Sequence, residues 1–417
     1  MKRSRSIHSF SSLSRGFCAG KYGQFFPVLS HSETFAAAEK LVFNDDFDTL
    51  DERKWVHMVS AWRGGRDQFQ YYRNSRKNRQ AQAFQCCTHS LKLTVNLTER
   101  RKVTSMLFLC YSYVRNGILY LKPTLTADEF GEDFVQHGKL SYPDCNFSPC
   151  LSTPGPPLHC THFPKSQQVP VLNKKPFCSE SGKDIVLPVQ SARISTYDLF
   201  SFKYGRLEVR AKLPKGDWLW PAIWLFPQVE VYGAWPRSGE IDLVRSRGNT
   251  KLFDAQGKQD GIRRVSSILH FGPAYDEISY HKSTYTKDMG SDTLADDFHV
   301  YTLDWSEAGF RFLLDGQLIG ERPAPKEGFW KLGGFQGKDI WHGKKMAPFD
   351  QKFFIIMHLA VGGSYLGDDL RNEPHPRPFN LSSGRAMSQF WERKDWWKDT
   401  WKGESAALQV DYVRVYQ

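Results

Sequence analysis

The sequence predicts an all-β sandwich, and three observations point there. Short runs alternate apolar and polar residues at the period of a strand, Gly- and Asp-bearing turns separate them, and an apolar repeat of helical period is almost lacking. The cleanest run lies in RISTYDLFSFKYGRLEVRAKL (193–213), where Leu207, Val209 and Ala211 share one face and Arg206, Glu208, Arg210 and Lys212 the other. That is a strand with one face buried and one wet. Similar runs recur at 265–271, 299–305, 310–316, 353–361 and 407–416.

Taken in order, residues 1–40 form a Ser/Arg-rich segment, expected to be disordered, with the basic excess of Lys2, Arg3, Arg5, Arg15 and Lys21 and no acid before residue 33. SIHSFSSLSRGF has a transit-peptide-like composition rather than the apolar core of a secretory signal, and no signal peptide is visible. The sandwich is expected over 41–417 as one large domain, opening with LVFNDDFDTLDERKWVHMVSAWRGGRDQFQYYRN and its Trp55 and Trp62. An atypical insertion is read at 77–111, and a Cys/Pro-rich loop at 141–182.

All eight cysteines precede residue 179. Cys145, Cys150, Cys160 and Cys178 match no zinc spacing; their loop favours disulfides, with three pairings open. Asn96, Asn146 and Asn380 begin glycosylation sequons. The net charge of +11 comes with scattered Lys and Arg and no nucleic-acid motif, which argues for a solvated surface and against a nucleic-acid partner. A mean hydropathy of −0.51 and the want of an apolar run of about 18 residues exclude a membrane-spanning helix.

The chain is organised around residues 205–249, where Trp218, Trp220, Trp224 and Trp235 precede SGEIDLV. In a strand, Glu240 and Asp242 point the same way. Flat aromatic faces beside a few directional carboxylates suit the stacking and hydrogen bonding of sugar rings, so a carbohydrate cleft is expected here. Trp220 and Trp235, next to prolines and turns, are the favoured stacking platforms, whereas Trp224 in PAIWLF fits core and cleft equally.

GRLEVRAKLPKGDWLWPAIWLFP followed by SGEIDLV resembles the core of glycoside hydrolase family 16, in its animal β-1,3-glucanase and β-1,3-glucan-binding branch. The resemblance resumes in 296–316, 328–337, 346–363 and 401–417. It implies a concanavalin-like jelly-roll sandwich with a concave glycan-binding groove, a secreted protein, and no required cofactor. The family's signature, Glu-x-Asp-x-x-Glu, supplies a nucleophile, a supporting acid and a general acid/base. Here those positions hold Glu240, Asp242 and Arg245.

Residues 240 and 245 differ by five, so an unbroken strand would set them on opposite faces; a β-bulge must restore the phase if both are to face the groove. Arg245 is then expected beside Glu240 and in an ion pair with it, with Asp242 hydrogen-bonded to Glu240 or Arg245. A guanidinium stays protonated and cannot act as acid and base. His270, in ILHFGP, resembles a cleft histidine of the family, and a purely structural role competes with that reading. His358 stands where family members have Asn, a second departure along the groove. The resemblance also assigns Asp411 to a structural calcium site.

The leading expectation is therefore a pseudo-glycosidase: a non-catalytic β-1,3-glucan-binding protein of the pattern-recognition type, detecting microbial wall polysaccharide in innate immunity. An active retaining endo-β-1,3-glucanase, and a degenerate structural protein without glycan affinity, are the competing readings. Protein partners and oligomeric state stay open.

Overall fold

A computed structural model describes residues 40–60, 67–73, 111–138 and 185–417. By its contacts the chain divides into Met1–Ala38 and Glu39–Gln417, and the described residues all belong to the second unit. The N-terminal segment before Lys40, the insertion up to Cys110, the Cys/Pro-rich loop, Trp62 and every cysteine lie outside the described residues, so the disulfide expectation does too. So do the sequons at Asn96 and Asn146.

The strands are, in order, β1 Leu41–Asp45, β2 Val56–His57, β3 Gln70–Tyr72, β4 Ser112–Arg115, β5 Ile118–Leu121, β6 Thr124–Leu125, β7 Val189–Ser191, β8 Arg193–Ser195, β9 Gly205–Lys212 and β10 Leu219–Pro227. They continue as β11 Glu240–Ser246, β12 Leu252–Phe253, β13 Arg264–His270, β14 Thr284–Asp288, β15 His299–Ser306, β16 Gly309–Leu314, β17 Gln317–Pro323, β18 Phe353–Val361, β19 Arg371–Asn372 and β20 Leu408–Tyr416. The helices are short, the longest α-helix among the described residues being Ala386–Glu392.

Two antiparallel sheets form the sandwich. One has eight strands, ordered β17-β16-β15-β9-β20-β5-β4 with β1 also on β20; the other has seven, ordered β14-β13-β11-β10-β18-β8-β2. The strands expected from alternation are present, and the fold is the jelly-roll sandwich. In β9 the burial alternates along its length, with Leu207, Val209 and Ala211 fully enclosed. Across the sandwich, Tyr301, Leu303, Phe312, Val413 and Val415 of the eight-stranded sheet meet Ile223, Leu225, Ile241, Leu269, Ile355 and Met357 of the seven-stranded one in a single core. Each large apolar side chain removed from water there contributes about 1.5–3 kcal/mol.

β18 is buried at all nine positions, although it alternates like any strand. Its odd residues, such as Ile355, Met357 and Leu359, fill the core. Its even residues, Phe354, Ile356, His358 and Ala360, face the other way and are covered by other groups. The outward face of the seven-stranded sheet is thus floored with side chains under a cover of loops, and that face carries the site.

Candidate functional site

The bulge that the spacing requires is present in β11. Asp242 lies opposite Ile268 and Arg245 opposite Ser266, three residues of one strand against two of the next. The same extra residue appears against β10, where Asp242 faces Trp224 while Val244 faces Ile223. Leu243 and Val244 both enter the core, and Arg245 returns to the face shared by Glu240 and Asp242. Gly239 sets the entry: its φ is +81°, and a Cβ there would come within 2.9 Å of Phe349.

Glu240, Asp242, Arg245 and His270 form one cluster. The Arg245 Nη1 donates to Asp242 Oδ2 at 3.1 Å and lies 3.2 Å from His270 Nε2, which is itself 3.2 Å from Asp242 Oδ2. Glu240 Oε1 is 3.7 Å from the same imidazole nitrogen. Arg245 therefore pairs with Asp242 rather than capturing Glu240. Burial pushes the Asp242 carboxyl up, but His270 and Arg245 outweigh it and hold the group below the usual carboxylate range. Donor atoms of Glu240, Asp242 and His270 lie within 4.8 Å of one another, close enough for one cation. The guanidinium in hydrogen-bond reach of two of them already supplies positive charge there.

The tryptophans divide differently from the sequence reading. Trp220 is only 4% exposed, lying 4.7 Å from the Tyr365 ring with the Arg245 guanidinium 5.1 Å over its own. Trp235 is 7% exposed and packs with Phe226, Phe354 and Ile356 at the other end of the face. Trp224 is the more accessible of the three. The reason is loop cover: strand parity places Trp220 and Trp224 on the outward face alike, but the segment after β18 brings Tyr365 down on Trp220 alone. Trp218, with φ +67°, belongs to the core.

His358 is enclosed beneath this face. The Trp224 indole N–H donates to its Nδ1 at 3.0 Å, which leaves the ring proton on Nε2. Burial, then the Arg193 charge, push its pKa well below the ordinary value, so the ring is neutral at physiological pH. Asp411 lies on β20 of the other sheet, its carboxylate engaged by Arg210. No group of three metal-type donors among the described residues includes it.

Several residues of the face escaped the sequence reading. Arg193 in β8 sets its guanidinium 4.9 Å over the Trp224 ring. Tyr275 and Tyr280, 51% and 46% exposed, stand beside Trp235 and His270. Tyr365 is sandwiched with Arg245 and Arg247, at 4.5 and 3.8 Å. Arg193 carried one signal, since it precedes Ile194 in an alternating run; its pairing with His358 belongs to long-range register.

Residues 166–329 match the family described as glycosyl hydrolases family 16. Over 90% of this chain and 90% of its own length, the β-1,3-glucan-binding protein of Penaeus monodon is 35% identical to it. The chain belongs to glycoside hydrolase family 16. Within family 16 the similarity extends to Gram-negative bacteria-binding protein 1 of Drosophila melanogaster, 37% identical over 56% of this chain and 45% of that protein. The family-16 chain thus spans nine-tenths of the Penaeus relative but about half of the Drosophila one. A glucan endo-1,3-β-glucosidase of Cryptopygus antarcticus is 36% identical over 54% of the chain and 66% of its own length. A solved laminarinase from Rhodothermus marinus aligns over 91% of the chain and 97% of its own, with 22% identity and a TM-score of 0.49.

Proposed function

We propose that the protein binds β-1,3-glucan, or a related microbial wall polysaccharide, across the outward face of the seven-stranded sheet and does not hydrolyse it. One observation carries this reading: after the bulge, the place beside Asp242 is filled by Arg245. A retaining glycosidase needs a second carboxyl about 5 Å from its nucleophile to protonate the leaving oxygen. In family-16 terms Glu240 occupies the nucleophile position, Asp242 the supporting one and Arg245 the acid/base position. The guanidinium offers no proton in the working pH range. Asp242, held ionised by His270 and Arg245, is no substitute donor.

The names of the Penaeus and Drosophila relatives, for β-1,3-glucan and for Gram-negative bacteria, support the ligand class and a pattern-recognition role. Placement outside the cell fits the same relatives, and the sequon residue Asn380 is exposed. No helix among the described residues is long and apolar enough to cross a membrane. The Cryptopygus relative favours a second reading, endo-β-1,3-glucanase activity with Glu240 attacking and a carboxyl other than Asp242 as acid. Calorimetric titration with laminarin tests the first reading. Saturable binding is expected, weakened in Trp224→Ala by about 1 kcal/mol for one stacking face, or about fivefold in Kd. Unaltered affinity in that variant would place the site elsewhere.

A further inference from the structure

The register draws a straight row across the outward face: Arg193 on β8 lies opposite His358 on β18, which lies opposite Ala222 on β10, which lies opposite Arg245 on β11. Ala222 raises no more than a methyl between His358 and Arg245. Near this dip the Asp242 carboxylate is engaged by Arg245, and three N–H groups remain. The Nε2–H of His358, the indole N–H of Trp220 and the Nε–H of Arg245 are buried donors without an acceptor among the described residues. Buried donors left unmatched cost free energy and call for a partner from outside.

Arg193 adds a charge of the same sense. Arg245 has Asp242 and Arg247 has Asp260, at 3.1 and 2.8 Å, whereas Arg193 has no carboxylate in ion-pair range among the described residues and lies over Trp224 instead. Glu240, whose strand lies three strands away, acts on Arg193 through space without reaching ion-pair range. Burial lowers the Arg193 pKa, outweighing the opposing pull of Tyr72 and Glu240.

We propose that this part of the groove, over β8, β18 and β10, is a subsite for an oxyanion substituent on the glycan, with Arg193 as its charged contact and the His358 and Trp220 N–H groups as further donors. A neutral glucan hydroxyl can accept from one donor but leaves the guanidinium uncompensated; a carboxylate, sulfate or phosphate ester answers both. The inference rests on the glucan-binding reading and names the chemistry that the same groove prefers.

The test compares the intact protein's affinity for laminarin with that for carboxymethylated and for sulfated laminarin of the same chain length. Charge-assisted contact predicts a preference of about tenfold for at least one substituted glucan, and which of the two wins distinguishes carboxylate from sulfate. Arg193→Gln should bring the ratio of affinities to within about threefold, and Arg193→Lys should keep part of it. Lys402→Gln, removing an equal charge from an exposed position, should leave the ratio as it is. A ratio near one in the intact protein overturns the proposal whatever the variants do, as does an equal fall in Arg193→Gln and Lys402→Gln, which marks diffuse attraction to a protein of net charge +11. Loss of laminarin binding altogether would instead sink the glucan-binding reading beneath it.

Discussion

The two outward faces of the sandwich handle polar groups in opposite ways. On the eight-stranded sheet the charges are settled among neighbours: Arg206 with Asp304 at 2.8 Å, Arg414 with Asp46 at 2.8 Å, Arg210 with Asp411. On the seven-stranded sheet Arg193 lies over a ring, and the indole N–H of Trp220, the Nε2–H of His358 and the Nε–H of Arg245 face no acceptor among the described residues. A face that satisfies itself needs no ligand. A face with buried, unmatched donors gains most from one, because the cost of those donors is recovered only when acceptors arrive.

The sharpest way to break the contrast is to restore chemistry on the unsatisfied face. Arg245→Glu puts a carboxyl at the phase that the bulge provides, and laminarin hydrolysis should rise by about 10²- to 10⁴-fold, the usual scale of general-acid assistance. Glu240→Gln in that background should remove the gain. Reducing-end release reads both, and a rise that survives Glu240→Gln would mean that Glu240 is not the nucleophile.

Trp220 and Trp224 should separate stability from binding. Trp220→Ala, in a covered site, should cost about 3–5 kcal/mol in denaturant unfolding. Trp224→Ala should lower laminarin affinity more than it lowers stability. If the two variants behave alike, the distinction drawn from loop cover is wrong.

Asp217 gives a pH test away from the groove. Its buried carboxyl, accepting from Asn372 Nδ2 at 3.0 Å, is raised by desolvation to about 6. A carboxyl whose folded pKa lies above its unfolded value binds protons more tightly in the fold. Its contribution to stability is fully present below about pH 4 and is lost as the pH rises through about 6. Asp217→Asn should flatten that segment of the stability curve and raise stability at pH 7 by roughly 2–3 kcal/mol. Smallest of all, Arg311→Gln on the self-satisfied face breaks ion pairs of 3.9 Å at a 41% exposed side chain and should cost under about 1 kcal/mol.

Much of this arrangement was legible in the chain. Alternation found β9, and the five-residue step from Glu240 to Arg245 required the bulge that β11 contains, because strand parity is strict. The same parity sets Trp220 and Trp224 on one face of β10, although their flanking residues, read from the sequence, set them apart. It could not tell which one is covered, since Tyr365 reaches Trp220 from a loop distant in sequence, and Trp235 folds onto Phe226, Phe354 and Ile356 from a turn. The importance of Arg193 was hidden for the same reason: only the pairing of β8 with β18 sets it beside His358. Long-range register, not local pattern, makes the donor-rich row.

Laminarin binding and laminarin cleavage measured on one sample of the unmodified protein test the central claim most directly. The account predicts saturable binding with reducing ends released no faster than by Glu240→Gln over the same period. Turnover clearly above that control would contradict it, and would require a proton donor to Glu240's reaction that Arg245 does not provide.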